Sequence, residues 1–240
     1  AESYPENCTP GQNCLFEPQF NVALASRQPG SSFKPFVYAT AFKKGYNDRT
    51  IVVDEPTNFG IWGGEEYIPQ NYDGYFRGPV TLRQALAQSL NIPSIKTLLS
   101  LAGLTDSINT AEDCGITTLK PPFGPSIVLG GYETKLLELV SAYGVFANNG
   151  LWVKPTPILK IENDNGEIIE ENKAAAKRVL ETKITLLIND ILSDNEARSP
   201  VFGPNSPLFF GDRIVAAKTG STQNYRDGWT IGYTNNVVIG

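Results

Sequence analysis

A serine and a lysine stand three residues apart in the stretch Arg27–Phe36, RQPGSSFKPF: Ser31 and Lys34. A hydroxyl is a weak nucleophile until a base stands beside it. Residues i and i+3 share a helical face, which brings the Lys34 amine next to the Ser31 hydroxyl and turns Ser32 elsewhere. The run Phe36–Phe42 is apolar enough for a buried helix. Pro35 is tolerated in a first turn, where its missing N–H has no intrahelical partner. The pattern therefore predicts Ser31 at the positive end of a helix, where developing negative charge is stabilised. Taken alone the pair is a weak signal, because a serine and a lysine at a helix start are also ordinary surface residues.

Two further groups have chemistry to offer. Ser89-Leu90-Asn91 falls where one helix is expected to end and Pro93 to open the next. A hydroxyl and an amide at such a corner can face a cleft while both helices stay rigid, although plain helix capping uses the same residues. Lys218-Thr219-Gly220-Ser221-Thr222 follows the strand-like Ile214–Ala217. A lysine, a bare glycine and flanking hydroxyls on an edge strand suit a peptide-like ligand, which could add as a strand while the hydroxyls hold its carboxylate. A polar strand end in water is the plain alternative.

Composition limits what chemistry is open. The 240 residues contain no histidine, so any base must be lysine, carboxylate or tyrosine; a Ser-His-Asp triad and histidine metal sites are excluded. Three dispersed cysteines make a poor metal site, and no cofactor is expected. Cys8 and Cys14 lie in a Pro/Gly/Asn-rich segment and could pair or stay free; Cys114 reads as a small buried hydrophobe. With a net charge of −5, 41% hydrophobic and 19% charged residues, the chain reads as globular with no nucleic-acid partner. No apolar run approaches the ~18 residues of a spanning helix. The absence of methionine, including at position 1, and an end inside the strand-like Asn236–Gly240 predict a piece cut at both ends.

The elements that must carry these groups are legible in outline. Residues 1–25 read as an irregular segment with Pro5, Pro10, Gly11 and Pro18. The Ser31 helix should stop near Lys44-Gly45. Residues 50–80 read as a long structured loop with short β-like pieces. Thr81 and Gln84 form a capping box that starts a helix to about Leu90. Further helices are expected over 93–102, 105–114 and 181–192. The strongest is 134–149, where Leu136, Leu139, Val140, Tyr143 and Phe146 keep a 3–4 spacing. Strands are expected over 157–162 and 167–170, joined by Asn163–Gly166, and over 214–218 and 229–239. This order points to an α+β fold, an antiparallel sheet flanked by helices plus a mostly helical region, rather than alternating βαβ.

Ser-x-x-Lys, Ser-x-Asn and Lys-Thr-Gly in that order are together far more specific than any one. The serines are 58 residues apart, and Lys218 lies 129 beyond Ser89. With RQPGSSFKPF, the run Gly78–Asn91 and KTGSTQNYRDGWTIGYT, residues 26–240 resemble the transpeptidase domain of class A penicillin-binding proteins, of the penicillin-recognising serine enzymes. The resemblance implies that Ser31 is the acylated nucleophile, Lys34 its base and Ser89 a proton relay to the leaving amine. It implies that Asn91 holds the substrate amide and Lys218 is a second cation. Thr219, Gly220, Ser221 and Thr222 would bind substrate, with the Thr219 and Ser221 hydroxyls on its carboxylate and the Ser31 and Ser221 N–H groups as oxyanion hole. It further implies peptidoglycan stem peptides ending in D-Ala-D-Ala and β-lactams as partners. The full-length protein would be extracytoplasmic and membrane-anchored, with a glycosyltransferase domain absent here. Ala1–Asn21 does not look like the hydrophobic strand pair such domains begin with, and a closing strand and helix are missing. The domain is thus expected to be incomplete, its sheet short of strands and Trp229–Ile239 an exposed apolar edge.

A D,D-carboxypeptidase or β-lactamase, with water as acceptor, and a non-catalytic β-lactam sensor are the competing readings. A class A β-lactamase needs Glu-x-x-x-Asn between the second and third motifs, whereas the one here is Glu17 to Asn21, upstream of Ser31. Glu65-Glu66 as a glycosidase carboxylate pair is disfavoured, since neighbours on an extended chain face opposite ways. Glu170-Glu171 reads as a solvated strand end. Arg226-Asp227 either braces the third motif by an ion pair or is solvated.

Overall fold

The computed structural model describes residues 8, 9, 12–14, 20–222 and 226–240. Glu17, Gln223, Asn224 and Tyr225 lie outside them. Before Ser26 the described residues form turns, and Cys8 and Cys14 are joined in a disulfide.

The chain order explains how the motifs meet. β1 (Ser26–Arg27) leads into a 3-10 turn, Gly30–Phe33, and then α1 (Lys34–Lys43). Every residue of α1 through Phe42 is buried, so α1 is the hub of the molecule rather than an amphipathic surface helix. The long loop after it holds β2 (Ile51–Asp54), the two-residue strands β3 (Ile61–Trp62) and β4 (Glu65–Glu66), and β5 (Gly78–Thr81), which pairs antiparallel with β2. Both glutamates of β4 are exposed, as a solvated pair should be.

Helices then accumulate: α2 (Leu82–Ala87), α3 (Asn91–Lys96) running into a π-helical turn (Thr97–Ala102), and α4 (Leu104–Asp113). The capping box at Thr81 and Gln84 is present in full. Cys114 is buried, and burial pushes its thiol up to about 12, which makes it inert. After a second 3-10 turn (Pro125–Leu129), β6 (Thr134–Lys135) pairs with β1, and α5 (Leu136–Ala147) follows. Thr134 and Lys135 are strand rather than helix because they pair with Arg27 and Ser26.

β7 (Leu151–Val153) pairs with β10 (Ala176–Arg178), and β8 (Lys160–Glu162) with β9 (Ile168–Glu171), an exposed hairpin turned by Asn163–Gly166. Next come α6 (Thr182–Ser193) and α7 (Asn195–Phe202). α7 carries Pro200, and its start is capped by the Asp194 carboxylate, which accepts from the Ala197 N–H at 2.8 Å. A proline inside and no apolar period hid this helix from sequence reading. Last are β11 (Ala216–Ser221), β12 (Gly228–Tyr233) and β13 (Val238–Ile239), one antiparallel sheet in the order β11-β12-β13.

The expectation of one exposed apolar strand over Trp229–Ile239 is corrected here. The segment turns at Thr234–Val237 and makes two strands, of which β12 is the middle one. Trp229, Ile231 and Tyr233 are buried on one face, and the short β13 is the outer edge. Three strands are paired in this sheet among the described residues, and β11 has a neighbour on one side only.

The core runs from α1 across to that sheet. Phe36, Tyr143 and Phe146 form a cluster with ring centres 5.4–5.7 Å apart, and Tyr143 also meets Tyr233 edge-on. Such aromatic pairs contribute about 0.5–1.5 kcal/mol each beyond area burial. The Tyr143 hydroxyl donates to the Ser32 carbonyl at 2.7 Å, tying the 3-10 turn to this core.

Candidate active site

Ser31 sits in the 3-10 turn, and Lys34 is the first residue of α1. In a 3-10 turn residues i and i+3 eclipse, so the two side chains still leave the chain on one side. Ser32 is fully buried and its hydroxyl donates to the Pro29 carbonyl at 2.6 Å. Ser31 is half-buried. The Lys34 amine does not hydrogen-bond to Ser31 among the described residues. It donates to the Ser89 carbonyl at 2.6 Å and to Asn91 Oδ1 at 2.8 Å, with Ser89 Oγ at 3.4 Å.

Ser89 holds a backbone φ of 62°, the left-handed region that a non-glycine residue enters at a cost of about 1–3 kcal/mol. The bend lies between α2 and α3, and Ser89 presents both its carbonyl and its hydroxyl to lysines. The Lys218 amine donates to Ser89 Oγ at 2.8 Å and to the Thr219 carbonyl at 2.9 Å. All three motifs thus converge on Ser89 Oγ.

β11 delivers the third motif by strand alternation. Lys218 and Gly220 point one way, opposite Ile231 and Trp229, and both are buried. Thr219 and Ser221 point the other way, half-buried and exposed. Gly220 must be glycine, since a Cβ there would lie 2.0 Å from the Pro29 carbonyl oxygen. Gly30 answers it: φ is +57°, and a Cβ would come within 2.7 Å of the Ser221 backbone nitrogen. This approach sets the backbone of Ser221 against the turn that carries Ser31.

Thr222 is placed differently from the rest. Its hydroxyl accepts from the Asp227 N–H at 2.8 Å and closes the hairpin. Asp227 pairs with Arg27 at 4.0 Å, a contact between sheet and β1, while Arg226 is exposed.

Burial and charge set the protonation of the two lysines. Lys34 is fully buried and held well below the usual lysine range, first by burial and then by the nearby Lys218 charge. Lys218 is lowered to about 7 by burial, with Arg198 adding to the effect. Arg198 lies in α7, 2% exposed, and donates to the Leu192 and Leu208 carbonyls. No sequence signal marked it. A neutral Lys34 has two N–H bonds to give, and the Ser89 carbonyl and Asn91 Oδ1 accept both. Its lone pair is then free to take a proton from a hydroxyl.

These lowered values have a sign for stability. Unfolded lysine titrates near 10.4. Between about pH 7 and that value the unfolded chain binds more protons than the folded one, so stability rises with pH. From pH 7 to 8.5, below the range where the raised Cys114 and tyrosine groups act in the opposite sense, Lys218 alone should add about 1–2 kcal/mol. Thermal melts should show a rising midpoint over that window. The rise should shrink in Lys218→Met, and a flat wild-type curve would mean that both amines stay charged in the fold.

Residues 16–239 match the penicillin binding protein transpeptidase domain. The chain belongs to that family. Penicillin-binding protein 1A of Aquifex aeolicus is 39% identical over 92% of this chain, and penicillin-binding protein 2D of Bacillus subtilis 34% over 96%. The chain spans 30% and 34% of those two proteins, about a third of their length. The PonA1 penicillin-binding protein of Mycobacterium tuberculosis, in complex with penicillin V, superposes with a TM-score of 0.74 at 26% identity, over 91% of this chain and 60% of that one. Penicillin-binding protein 1A of Haemophilus influenzae, at 24% identity, shares the fold over 90% of this chain and 37% of that one with a TM-score of 0.76. The resemblance to class A transpeptidase domains is therefore correct, and the α+β architecture is that of this family.

Two residues behind Asn91 escaped sequence reading besides Arg198. Asp54 and Asn71 are buried polar residues of the loop between α1 and α2, and both reach the site through Asn91. No group of three or more metal-ligating side chains occurs among the described residues, and none of their helices is long and apolar enough to cross a membrane.

Proposed function

We propose that this chain is the acylating part of a D,D-transpeptidase that cross-links peptidoglycan. Ser31 Oγ attacks the carbonyl carbon of the penultimate D-alanine of a stem peptide, and its proton passes to Lys34. The oxyanion is received by the Ser31 and Ser221 N–H groups. The C–N bond breaks, Ser89 relays a proton to the leaving D-alanine amine, and an ester on Ser31 remains. An amine of a second stem attacks that ester, forms the new amide and restores the hydroxyl. Asn91 holds the substrate amide. The Thr219 and Ser221 hydroxyls hold the terminal carboxylate, Lys218 is the second cation beside Ser89, Gly220 lets its strand close on the turn that carries Ser31, and Thr222 secures the hairpin. β-Lactams acylate the same serine. In the full-length protein the domain stands outside the cytoplasm, anchored to the membrane and joined to a glycosyltransferase domain.

The observation that carries this reading is Ser89 Oγ held between two buried lysine amines, at 2.8 Å from Lys218 and 3.4 Å from Lys34. The test supplies a D-Ala-D-Ala stem peptide together with an amine acceptor and follows both products. The expected result is D-alanine release with the new amide as main product. Hydrolysed acid alone would make it a carboxypeptidase. Penicillin labelling without peptide turnover would make it a sensor.

A further inference from the structure

Behind Lys34 runs a chain of buried polar groups that none of the three motifs contains. Asp54, at the end of β2, is 1% exposed, and its two carboxylate oxygens accept from Asn71 Nδ2 at 2.8 and 2.9 Å. The Arg77 N–H also donates to it, at 3.1 Å. A carboxylate has acceptors only, so it can face nothing but the NH2 side of the Asn71 amide. That NH2 group also donates to the Tyr75 carbonyl at 2.8 Å. Asn71 Oδ1 is thereby aimed at the start of α3, where it accepts from the Asn91 N–H at 2.8 Å and the Ile92 N–H at 3.4 Å.

Helix α3 needs that acceptor. Leu90 stands at its N-cap position and offers no side-chain hydrogen bond, so the cap comes from a residue some twenty positions upstream. The neighbouring Gln70 carbonyl takes Asn91 Nδ2 at 2.8 Å. One short loop segment therefore fixes both the backbone and the side-chain amide of Asn91. Asn91 Oδ1 is left with one direction, toward Lys34 Nζ at 2.8 Å.

We propose that Asp54 and Asn71 are positioning residues for acylation: they orient Asn91, and through it aim the Lys34 amine. The inference rests on the reading of Ser31 as nucleophile and Lys34 as base. Asp54→Asn puts an NH2 group against the NH2 of Asn71. Either amide can flip to relieve this, but a flipped Asn71 sets donor against donor at the Asn91 N–H. Asn71→Asp sets two carboxylates face to face. The double variant, Asp54→Asn with Asn71→Asp, restores a donor facing a carboxylate and an acceptor facing α3, while the Tyr75 carbonyl loses its donor.

Two measurements decide it: the second-order rate of labelling by a fluorescent penicillin, and hydrogen exchange at the Asn91 and Ile92 amides. Each single variant should label about 10- to 100-fold more slowly, as displacements near 1 Å cost reacting groups, and both amides should exchange faster. The double variant should recover part of the rate and of the protection, labelling clearly faster than either single variant. Should Asp54→Asn fail to fold, Asn71→Ser, with a hydroxyl too short to reach the Asn91 N–H, takes its place. Single variants that label at the wild-type rate, or a double variant no better than they are, overturn the proposal. A wild-type chain that takes no label refutes the nucleophile assignment instead, and the exchange data then decide whether Asp54 and Asn71 hold Asn91.

Discussion

Ser31→Ala should reduce penicillin labelling from about one adduct per chain to none, whereas Ser32→Ala should still label. The two serines are adjacent, but their surroundings differ. Ser32 is fully buried and its hydroxyl is committed to the Pro29 carbonyl at 2.6 Å. Ser31 is partly exposed, at the turn that meets the backbone of Ser221. Loss of a nucleophile removes a covalent route entirely, so the effect is all or none rather than graded. Intact mass and peptide mapping read it directly. Ser32→Ala should lower stability by about 1 kcal/mol through its lost hydrogen bond. An adduct mapped to Ser32 or Ser89, or a Ser31→Ala chain that still labels, would overturn the assignment.

How much of this was legible from sequence differed by the kind of interaction. The helix over Lys34–Lys43, the capping box at Thr81 and the α5 helix follow from local rules, and the structure has all three. The three motifs announce themselves by residue type, and the Lys34 and Lys218 amines both reach Ser89 Oγ. What stayed hidden depends on distance. Asp54 and Asn71 are ordinary loop residues until folding sets them 2.8 Å apart and caps α3 from outside its own sequence. Arg198 looks like a surface charge on a proline-interrupted segment, yet it is buried where it can act on Lys218. Trp229–Ile239 read as one strand although Asn235-Asn236 interrupts its apolar alternation, and the turn there pairs Thr234 with Val237. The left-handed bend at Ser89 is equally silent, since strain of that kind is imposed by what surrounds a residue rather than by the residue itself.

The two lysines should respond unequally to the same substitution. Lys34→Arg should slow acylation by roughly 100- to 10,000-fold, the usual contribution of a positioned base. A guanidinium keeps its proton at any working pH, so it cannot accept one from Ser31. Lys34 is suited to the base role because burial and the charge of Lys218 both push it toward the neutral amine. Its two N–H bonds are taken by the Ser89 carbonyl and Asn91 Oδ1, which leaves the lone pair for the incoming proton. Lys218 faces a different task. It donates to Ser89 Oγ from within β11, where a permanent positive charge can still serve as the second cation. Lys218→Arg should therefore retain part of the rate, with a loss on the order of 10- to 100-fold from fitting a larger group into a buried position. The pH profile adds a second readout. With Lys218 titrating near 7, wild-type acylation should fall as pH rises above that value and the cation is lost, whereas in Lys218→Arg this falling limb should move beyond pH 9. Equal losses from the two arginine substitutions, or an unmoved falling limb, would show that the lysines do not divide the work in this way.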